Sequence, residues 1–419
     1  MEIRKIDLAE RDEILRGDRY AYSQWFHQEF KVSQLGTINP DDVFVAAIAG
    51  KIAAALQNFR FRQSVRGIVK PMGGIGGVWT YPEYRNQGCV KNLIKATFIE
   101  MQTKGICVSM LQPFKESFYA AFGYVTANAN LELKVPIQAL RHYLSQNSPS
   151  PTISEPIARW QWERQPASDL KDPILTFISA LPPQQHHGLA IPDLTYEQWC
   201  LWYRHKICVS VKHNGETLAI ALYNIDSRTT KEGGTRCIDI YAMFWKNLEA
   251  RDRLMAFFAN HRDQIDYVTM SVPANSHFHT LFRDAPHPIE AIVSHQPWMV
   301  RVMDVAEALR DLPGPAIGEV AIAVSDPLCA WNQGVFILQS QEGKLTVTRR
   351  DEVKPDLYAT IEGISSLVYG TLPLEELFYK QWLKVPNHND NDSIAPSSDL
   401  THILEQWFPA FLIFNPFKF

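Results

Sequence analysis

Apolar and polar positions in the first part of the chain follow two different periods, which predict strands and helices in alternation. Residues 43–49 and 51–61 are strand-like runs separated by one glycine, and they predict a hairpin. Residues 73–80 and 106–111 are further runs of strand length, and residues 91–102 between them are amphipathic at helical spacing. The pattern therefore predicts a strand–helix–strand unit whose first turn should carry the chemistry.

The same order of elements recurs later in the chain. Residues 237–244 predict a strand, 248–260 a helix and 267–273 another strand, at nearly the same separations. We interpret residues 151–292 as a second domain of the same α/β fold, although two such units can also resemble each other by chance.

The rest of the chain divides around these two units. Residues 131–137 are expected to close a first domain, 1–150, as its outgoing strand, and crowded Ser, Pro and Asn over 145–151 predict a linker. Residues 293–419 have a different, α+β character, with several strands, few helices and an exposed loop over 387–398. The strands of this third part are expected at 318–324, 334–340, 343–349 and 357–362.

Composition excludes several classes of function. The formal net charge of −4 gives no support to nucleic-acid binding, and 46% hydrophobic with 21% charged residues is typical of a soluble globular protein. No signal core and no membrane-spanning apolar run is seen, which predicts a cytoplasmic protein without membrane attachment. The six cysteines are scattered without ligand spacing, so a metal site is not expected.

The turn before the predicted 91–102 helix has the chemistry of an anion site. Unpaired amides at a helix N-terminus attract phosphate, Arg85 adds a full charge, and Gly88 lets a ligand approach the backbone. The alternative is an ordinary strand-to-helix turn with one surface arginine. The matching turn of the second unit has no glycine and places Glu249 where phosphate would lie, so it is expected to have lost this function.

The end of the chain is unusually apolar. Five phenylalanines over 407–419 would be costly to leave in water, so the tail is predicted to be buried. Burial would hold the α-carboxylate of Phe419 in place and raise its basicity, unless the tail docks with that carboxylate in solvent.

Two short segments resemble the GNAT N-acetyltransferase superfamily. Arg85-x-x-Gly88-x-Val90, after the strand Val78-Trp79-Thr80, resembles its pyrophosphate loop, and Phe118-Tyr119-x-x-x-Gly123-Tyr124 resembles its later signature. Over its full length the chain resembles the enhanced intracellular survival (Eis) acetyltransferases, with two GNAT domains and a third domain like the sterol carrier protein. In that family a bulky apolar residue is usual where Val90 stands.

This resemblance implies a set of roles. It implies that Tyr119 protonates or donates a hydrogen bond to the departing thiolate, and that the carboxylate of Phe419 is the base. It also implies that acetyl-CoA is the cosubstrate. It also implies a homo-oligomer, such as the hexamers common in the family. Its implied acetyl-CoA contacts are Val78, Trp79, Thr80, Arg85, Asn86, Gln87, Gly88, Cys89, Val90, Lys91 and Phe114.

The expected function is acetyl transfer from acetyl-CoA to a primary amine of a small molecule, aminoglycoside- or polyamine-like, or of a peptide, by direct attack. The alternatives are a non-catalytic acyl-CoA-binding regulator and a lipid-binding protein. Tyr119 could instead be a core aromatic with a satisfied hydroxyl, and Cys89 could be a nucleophile, although no base lies near it in sequence. The aromatic segment 20–26 is either a packed helix face or a wall of the acceptor pocket.

Overall fold

The computed structural model describes residues 1–22, 38–128, 130–145, 160–182, 186–230, 233–293, 297–386 and 397–417. Part of the aromatic segment 20–26, most of the predicted 387–398 loop, Lys418 and Phe419 lie outside the described residues. No helix among the described residues is long and apolar enough to cross a membrane.

The first part of the chain alternates strands and helices as its pattern predicts. The predicted hairpin forms, and the predicted 91–102 helix begins slightly earlier, at Cys89. The elements in chain order are β1 (Glu2–Lys5), α1 (Arg11–Tyr22), β2 (Val43–Ile48), β3 (Lys51–Val65), β4 (Ile68–Thr80), α2 (Cys89–Thr103), β5 (Val108–Leu111), α3 (Glu116–Ala120), β6 (Val125–Asn128), β7 (Leu131–Pro136) and α4 (His142–Ser145).

The middle of the chain repeats the strand–helix–strand plan. The three elements predicted over residues 237–273 are β12, α7 and β13 of the following series, and the last of them ends at Val272. The elements are β8 (Trp160–Pro166), α5 (Lys171–Ser179), β9 (Ala190–Pro192), α6 (Tyr196–Tyr203), β10 (Ile207–His213), β11 (Glu216–Thr230), β12 (Gly233–Trp245), α7 (Leu248–Ala259), β13 (Tyr267–Val272) and β14 (Glu290–Val293).

The last part contains the four predicted strands. The strand predicted over 357–362 ends at Thr360, because the hydroxyl of Thr360 caps the following helix by accepting a hydrogen bond from the Gly363 amide at 3.3 Å. The elements are β15 (Trp298–Val302), α8 (Val305–Leu309), β16 (Glu319–Ser325), β17 (Gly334–Gln341), β18 (Lys344–Arg349), β19 (Leu357–Thr360), α9 (Ile361–Tyr369), α10 (Leu374–Tyr379), β20 (Leu383–Lys384) and α11 (Ser398–Trp407).

Three sheets organise these strands among the described residues. The first has the order β1-β2-β3-β4-β5-β15-β6, with β9 added beside β3. The second has the order β14-β7-β13-β12-β11-β10-β8, and the third β18-β17-β16-β19-β20. Within the first two sheets, β4 with β5 and β12 with β13 are parallel pairs joined through a helix, which is the crossover that the sequence pattern predicts.

Strands β7 and β15 each lie in a different sheet from the strand that precedes them in the chain. β7 was expected to close the first sheet but lies in the second, where it pairs antiparallel with β13 and β14. β15, from the start of the third part, takes the corresponding place in the first sheet between β5 and β6. The expectation for residues 131–137 was therefore wrong, because strand pairing is decided by contacts distant in sequence that a local pattern does not contain.

Much of the described apolar tail is buried, although Phe411 is 46% exposed. Trp407, Phe408, Ile413 and Phe417 are each at most 3% exposed. Asn415 fixes its path, since its carbonyl accepts a hydrogen bond from Trp298 Nε1 at 3.1 Å. The tail thus runs from the third domain to the second, where Phe417 packs.

A buried ion pair joins the first sheet to the third domain. Arg301 on β15 donates two 2.8 Å hydrogen bonds to the carboxylate of Asp326, and both side chains are at most 1% exposed. Arg301 also donates to the carbonyl of Phe122 at 2.8 Å. The guanidinium is therefore fully partnered by groups from two domains.

Asp326→Ala is expected to lower the free energy of unfolding by about 3–5 kcal/mol, because it leaves the Arg301 charge buried without its carboxylate. Denaturant unfolding followed by tryptophan fluorescence measures this loss. The exposed pair of Arg350 and Glu352, 3.8 Å apart, provides the control. Glu352→Ala should leave the unfolding midpoint unchanged, and equal losses in both variants would contradict a special role for the buried pair.

Candidate active site

The first sheet opens between β4 and β5. The two strands pair only from Met72 with Val108 to Ile75 with Leu111. Beyond this point β4 continues to Thr80 with no strand on that side among the described residues. The carboxyl end of a parallel strand pair is where α/β folds bind ligands, and here the opening exposes backbone groups of β4.

A β-bulge lies in β4 at the opening. Trp79 pairs with Ala55 and Gly76 with Gln57, so Gly77 and Val78 stand opposite a single residue of β3. Gly77 has a φ of +55°, at which a residue with a side chain would be strained, and a Cβ there would lie 2.6 Å from the side-chain Nε2 of Gln57 and would displace it. The bulge turns the backbone of Val78 out of the regular ladder.

Helix α2 begins beside this opening without a cap. Gly88 precedes it in the left-handed conformation, with a φ of +77°, and no side chain caps the helix. Among the described residues, no hydrogen bond is donated by the backbone amides of Gly88 to Lys91. Arg85 is exposed next to these amides, so the turn has free donors and positive charge together.

The second sheet has the corresponding bulge but a closed helix start. Ala242 pairs with Leu222 and Ile240 with Tyr223, which leaves Tyr241 as the extra residue. The first turn of α7 is capped by Asn247, whose Oδ1 accepts a hydrogen bond from the Ala250 amide at 2.8 Å. A side chain therefore occupies the amide site that stays open in the first domain.

Tyr119 lies beside the opening of the first sheet. Its ring is 5.8 Å from that of Phe114 and 6.2 Å from that of Tyr124, and it is 3% exposed. Burial, with smaller contributions from Tyr22 and Tyr124, raises the pKa of its hydroxyl, which is therefore protonated at neutral pH. Among the described residues this hydroxyl has no hydrogen-bond partner, whereas that of Tyr124 lies 2.7 Å from Ser109 Oγ. Tyr119 is thus unlike a satisfied core tyrosine.

Comparison with known families identifies the chain. Residues 2–127 and residues 182–302 each match a model of the acetyltransferase (GNAT) domain, and residues 305–387 match the sterol carrier protein domain. The chain belongs to the GNAT acetyltransferases. It carries tandem GNAT domains and a third domain of the sterol carrier type, which confirms the predicted fold class and resemblance.

Solved structures share the whole fold of this acetyltransferase. A GCN5-related N-acetyltransferase from Anabaena variabilis superposes with a TM-score of 0.79 at 22% identity, with 100% of both chains covered. Eis1 from Mycobacterium abscessus gives 0.75 at 15% identity, again with 100% of both chains covered. A probable N-acyltransferase from Enterococcus faecalis gives 0.75 at 17% identity, with 100% of this chain and 99% of the other covered. A comparison with curated protein sequences finds no match.

The structure gives the sequence-predicted residues of this acetyltransferase different surroundings. Phe114 is 67% exposed at the rim of the opening, beside Tyr119. Trp79 is buried with its ring 5.0 Å from Tyr81, so only its backbone is available at the opening. The Cys89 thiol is also buried, and burial raises its pKa, which argues against a nucleophilic role. Phe419 lies outside the described residues.

Sequence reasoning missed a cavity of about 580 Å³ on the other side of the bulge. Gly77 and Gln57 from the first sheet and Asp18 and Tyr22 from α1 line it, together with residues at the end of α6 and just after it in the second domain. The hydroxyl of Tyr22 donates to the Val78 carbonyl at 3.1 Å. Tyr22 belongs to the aromatic segment 20–26, of which residues 23–26 lie outside the described residues. No local sequence pattern marks these residues as neighbours, because the two domains that form the cavity are distant in sequence and meet only in the folded chain.

Asp18 is the carboxyl group of this cavity. It accepts a hydrogen bond from Gln57 Nε2 at 3.3 Å, while its Oδ1 has no partner among the described residues. Burial raises the pKa of Asp18 to about 7, and a contribution from Trp79 offsets this only in part. The group can therefore exchange a proton near neutral pH.

Asp18→Asn is expected to stabilise the protein at pH 8 but not at pH 4. The folded pKa of about 7 lies above the ordinary value of 3.8, so ionisation opposes folding. This cost is absent below pH 4, grows as the pH rises and is complete above pH 7, where it amounts to about 4 kcal/mol. Thermal unfolding at both pH values measures the difference. Asp263→Asn, on an exposed turn, is the control, and equal effects of Asp18→Asn at both pH values would contradict the raised pKa.

Proposed function

We propose that the chain transfers the acetyl group of acetyl-CoA to a primary amine of a small molecule or a peptide, by direct attack while both substrates are bound. The observation that carries this proposal is the position of the Gly77–Val78 bulge. It lies between uncapped helix amides on one side and a cavity of about 580 Å³ on the other. A donor and an acceptor could therefore meet at one backbone segment.

The acetyl-CoA site would be built mainly from backbone groups. The free amides of Gly88 to Lys91 and the side chain of Arg85 would hold the diphosphate. The unpaired edge of β4 from Val78 to Thr80 would pair with the extended arm of the cofactor, and Phe114 would cover it. Asn86 and Gln87 are exposed in the same turn and can donate further hydrogen bonds.

The residues at the bulge would stabilise the reaction in three ways. Amides turned out by the bulge would donate to the thioester oxygen as it gains negative charge. As the amine forms its C–N bond and the C–S bond breaks, the protonated hydroxyl of Tyr119 would donate to the departing sulfur. The hydroxyl of Tyr22 holds the Val78 carbonyl at 3.1 Å and so orients the bulge.

The proton of the amine would pass to a carboxylate. Phe419 remains the proposed base, and the path of the tail supports it. Phe417 is buried with its ring 6.1 Å from that of Tyr241, and the ammonium of Lys206, which lines the cavity, lies 4.8 Å from the same ring. Two further residues span up to about 7 Å, so the terminus can reach the cavity. Asp18, which lines the cavity, is a second carboxyl group that could accept the proton.

Thiol release from acetyl-CoA, with polyamines, aminoglycosides and short peptides as acceptors, tests this function. Lys91→Glu should raise the KM for acetyl-CoA at least about tenfold, because its carboxylate would repel the phosphates of the cofactor. A glutamate in the first turn does not destabilise a helix, so α2 should stay folded. Lys344→Glu, exposed in the third sheet, is the matched control. A glycine appended after Phe419 should lower kcat.

The same assay separates the alternatives. A regulator would bind acetyl-CoA without releasing thiol, and a lipid-binding protein would not bind acetyl-CoA. Turnover that is unchanged both by Lys91→Glu and by the added glycine would reject the proposed site. The homo-oligomer and the cytoplasmic location stay predictions.

A further inference from the structure

Asp18 lines the cavity at the bulge without a charged partner in the described part of the chain. Its carboxylate accepts a hydrogen bond from the side-chain amide of Gln57 at 3.3 Å, while its Oδ1 is shielded from solvent and accepts none from the described residues. A carboxylate can accept about four hydrogen bonds, so most of this capacity is unused. An ionised carboxylate is costly to shield from water unless other groups compensate it, and a bound cation would do so.

The pKa of Asp18 shows which groups surround it. Burial raises this pKa to about 7, and the indole of Trp79 offsets the rise only in part. The basic side chains of the described lining are not among the groups that act on it, namely Arg19, Arg204, His205 and Lys206. Within the described residues, the carboxyl group therefore has no cation close enough to compensate it, irrespective of what those side chains bind.

Two contacts place Asp18 at the bulge. The side chain of Gln57 that holds it lies over Gly77, since a Cβ on Gly77 would be 2.6 Å from Nε2 of Gln57. Tyr22 follows Asp18 by four residues in α1, so the two side chains share one face of the helix. The hydroxyl of Tyr22 donates to the Val78 carbonyl at 3.1 Å. An amine held by Asp18 would thus lie beside the bulge.

Apolar side chains from both domains form a further part of the cavity wall. The rings of Phe59 and Trp202 meet edge to face, with their centroids 5.7 Å apart. Leu15, Ile38 and Leu201 also line the cavity. Such a surface favours an aromatic or aliphatic body, whereas hydroxyl and ether groups would lose their hydrogen bonds to water there.

We propose that the acceptor is a primary amine on an apolar body, and that Asp18 binds its ammonium group beside the Gly77–Val78 bulge. This inference rests on the proposed acetyl transfer and assigns the place and the chemical class of the acceptor. Asp18 holds the charged amine before its proton is removed, and Phe419 remains the proposed base.

Two amines of nearly the same shape test the role of Asp18. The amine 2-phenylethylamine is an ammonium ion at pH 8, whereas O-benzylhydroxylamine has an oxygen in place of one methylene and stays uncharged. In the thiol-release assay at pH 8, Asp18→Asn should lower the kcat/KM for 2-phenylethylamine about tenfold or more, because a charge-assisted contact is lost. The uncharged amine should lose much less, so the ratio of the two kcat/KM values should change about tenfold.

A loss of folding does not explain such a result. Asp18→Asn is expected to be more stable than the wild type at pH 8, because the ionised carboxyl group opposes folding. Asp263→Asn, at an exposed aspartate, is the matched control and should keep the wild-type ratio of the two kcat/KM values.

A third amine tests the apolar body. The compound 2-(2-aminoethoxy)ethanol is a primary ammonium ion of similar length with a polar body. With the wild-type enzyme its kcat/KM should be about tenfold or more below that of 2-phenylethylamine, because it buries less apolar surface.

The outcomes separate the inference from the proposed function. If Asp18→Asn affects both matched amines equally, or if the polar amine is as good an acceptor as 2-phenylethylamine, the inference is overturned while acetyl transfer stands. If acetyl-CoA binds but none of the three amines is acetylated, the inference is likewise overturned, and polyamines, aminoglycosides and peptides then decide on acetyl transfer. If acetyl-CoA itself does not bind, the proposed function fails and the inference fails with it.

Discussion

Tyr119→Phe is expected to lower kcat about 100-fold or more while leaving the KM for acetyl-CoA within about twofold of the wild-type value. The substitution removes only a hydroxyl that is protonated at neutral pH, beside the opening of the sheet. Positioned proton donors contribute about 10²–10⁴ to rate, and this donor acts on the departing sulfur rather than on binding. Steady-state thiol release over a range of acetyl-CoA concentrations separates the two parameters.

The control for this variant is Tyr143→Phe in α4, which packs against the core of the second sheet. Tyr143 is as buried as Tyr119, and its hydroxyl donates to the Leu281 carbonyl at 2.9 Å. Its loss should cost some stability but little kcat. A Tyr119→Phe enzyme with wild-type kcat would remove Tyr119 from the chemistry and restore its interpretation as a core aromatic.

A fragment of residues 1–145 is expected to show no cooperative unfolding transition. It retains β4, β5 and α2 but lacks β15, which fills the place between β5 and β6. Trp298, Met299, Val300 and Val302 of that strand are at most 2% exposed. Four such side chains contribute on the order of 6–12 kcal/mol by burial, which is comparable to the whole stability of a domain. Thermal circular dichroism of the fragment measures this.

A graft provides the matched control. Trp298 lies opposite Asn128 in the antiparallel pair of β15 and β6, so a short glycine-rich turn can join residues 1–128 directly to residues 297–304. The grafted fragment should regain a cooperative transition. A cooperative transition in the plain fragment 1–145 would contradict the dependence of the first sheet on β15.

The local parts of the site were predictable from the sequence. The anion site predicted at Gly88 and Arg85 depends only on residues that are close together in the sequence. The same holds for the loss of that site in the second unit, where the turn at Glu249 has no glycine. The structure adds that Asn247 caps the second helix. Tyr119 could be named only through its motif, since nothing in its neighbours along the chain distinguishes a donor from a packed ring.

The non-local parts were not predictable. The alternation of apolar and polar residues in β7 and β15 would suit a strand of either sheet. It therefore does not predict which of the two sheets each strand joins. Asp18 looks like an ordinary helix carboxylate in the sequence. Its pKa is raised by burial in the folded chain, where residues of the bulge and of the second domain line the same cavity.

The most direct test of the central claim is a crystal structure of the protein with bound CoA. The account predicts that the diphosphate oxygens accept hydrogen bonds from the backbone amides of Gly88 to Lys91 and that the sulfur lies beside the hydroxyl of Tyr119. CoA bound at the second sheet, or with its diphosphate away from the start of α2, would contradict the account.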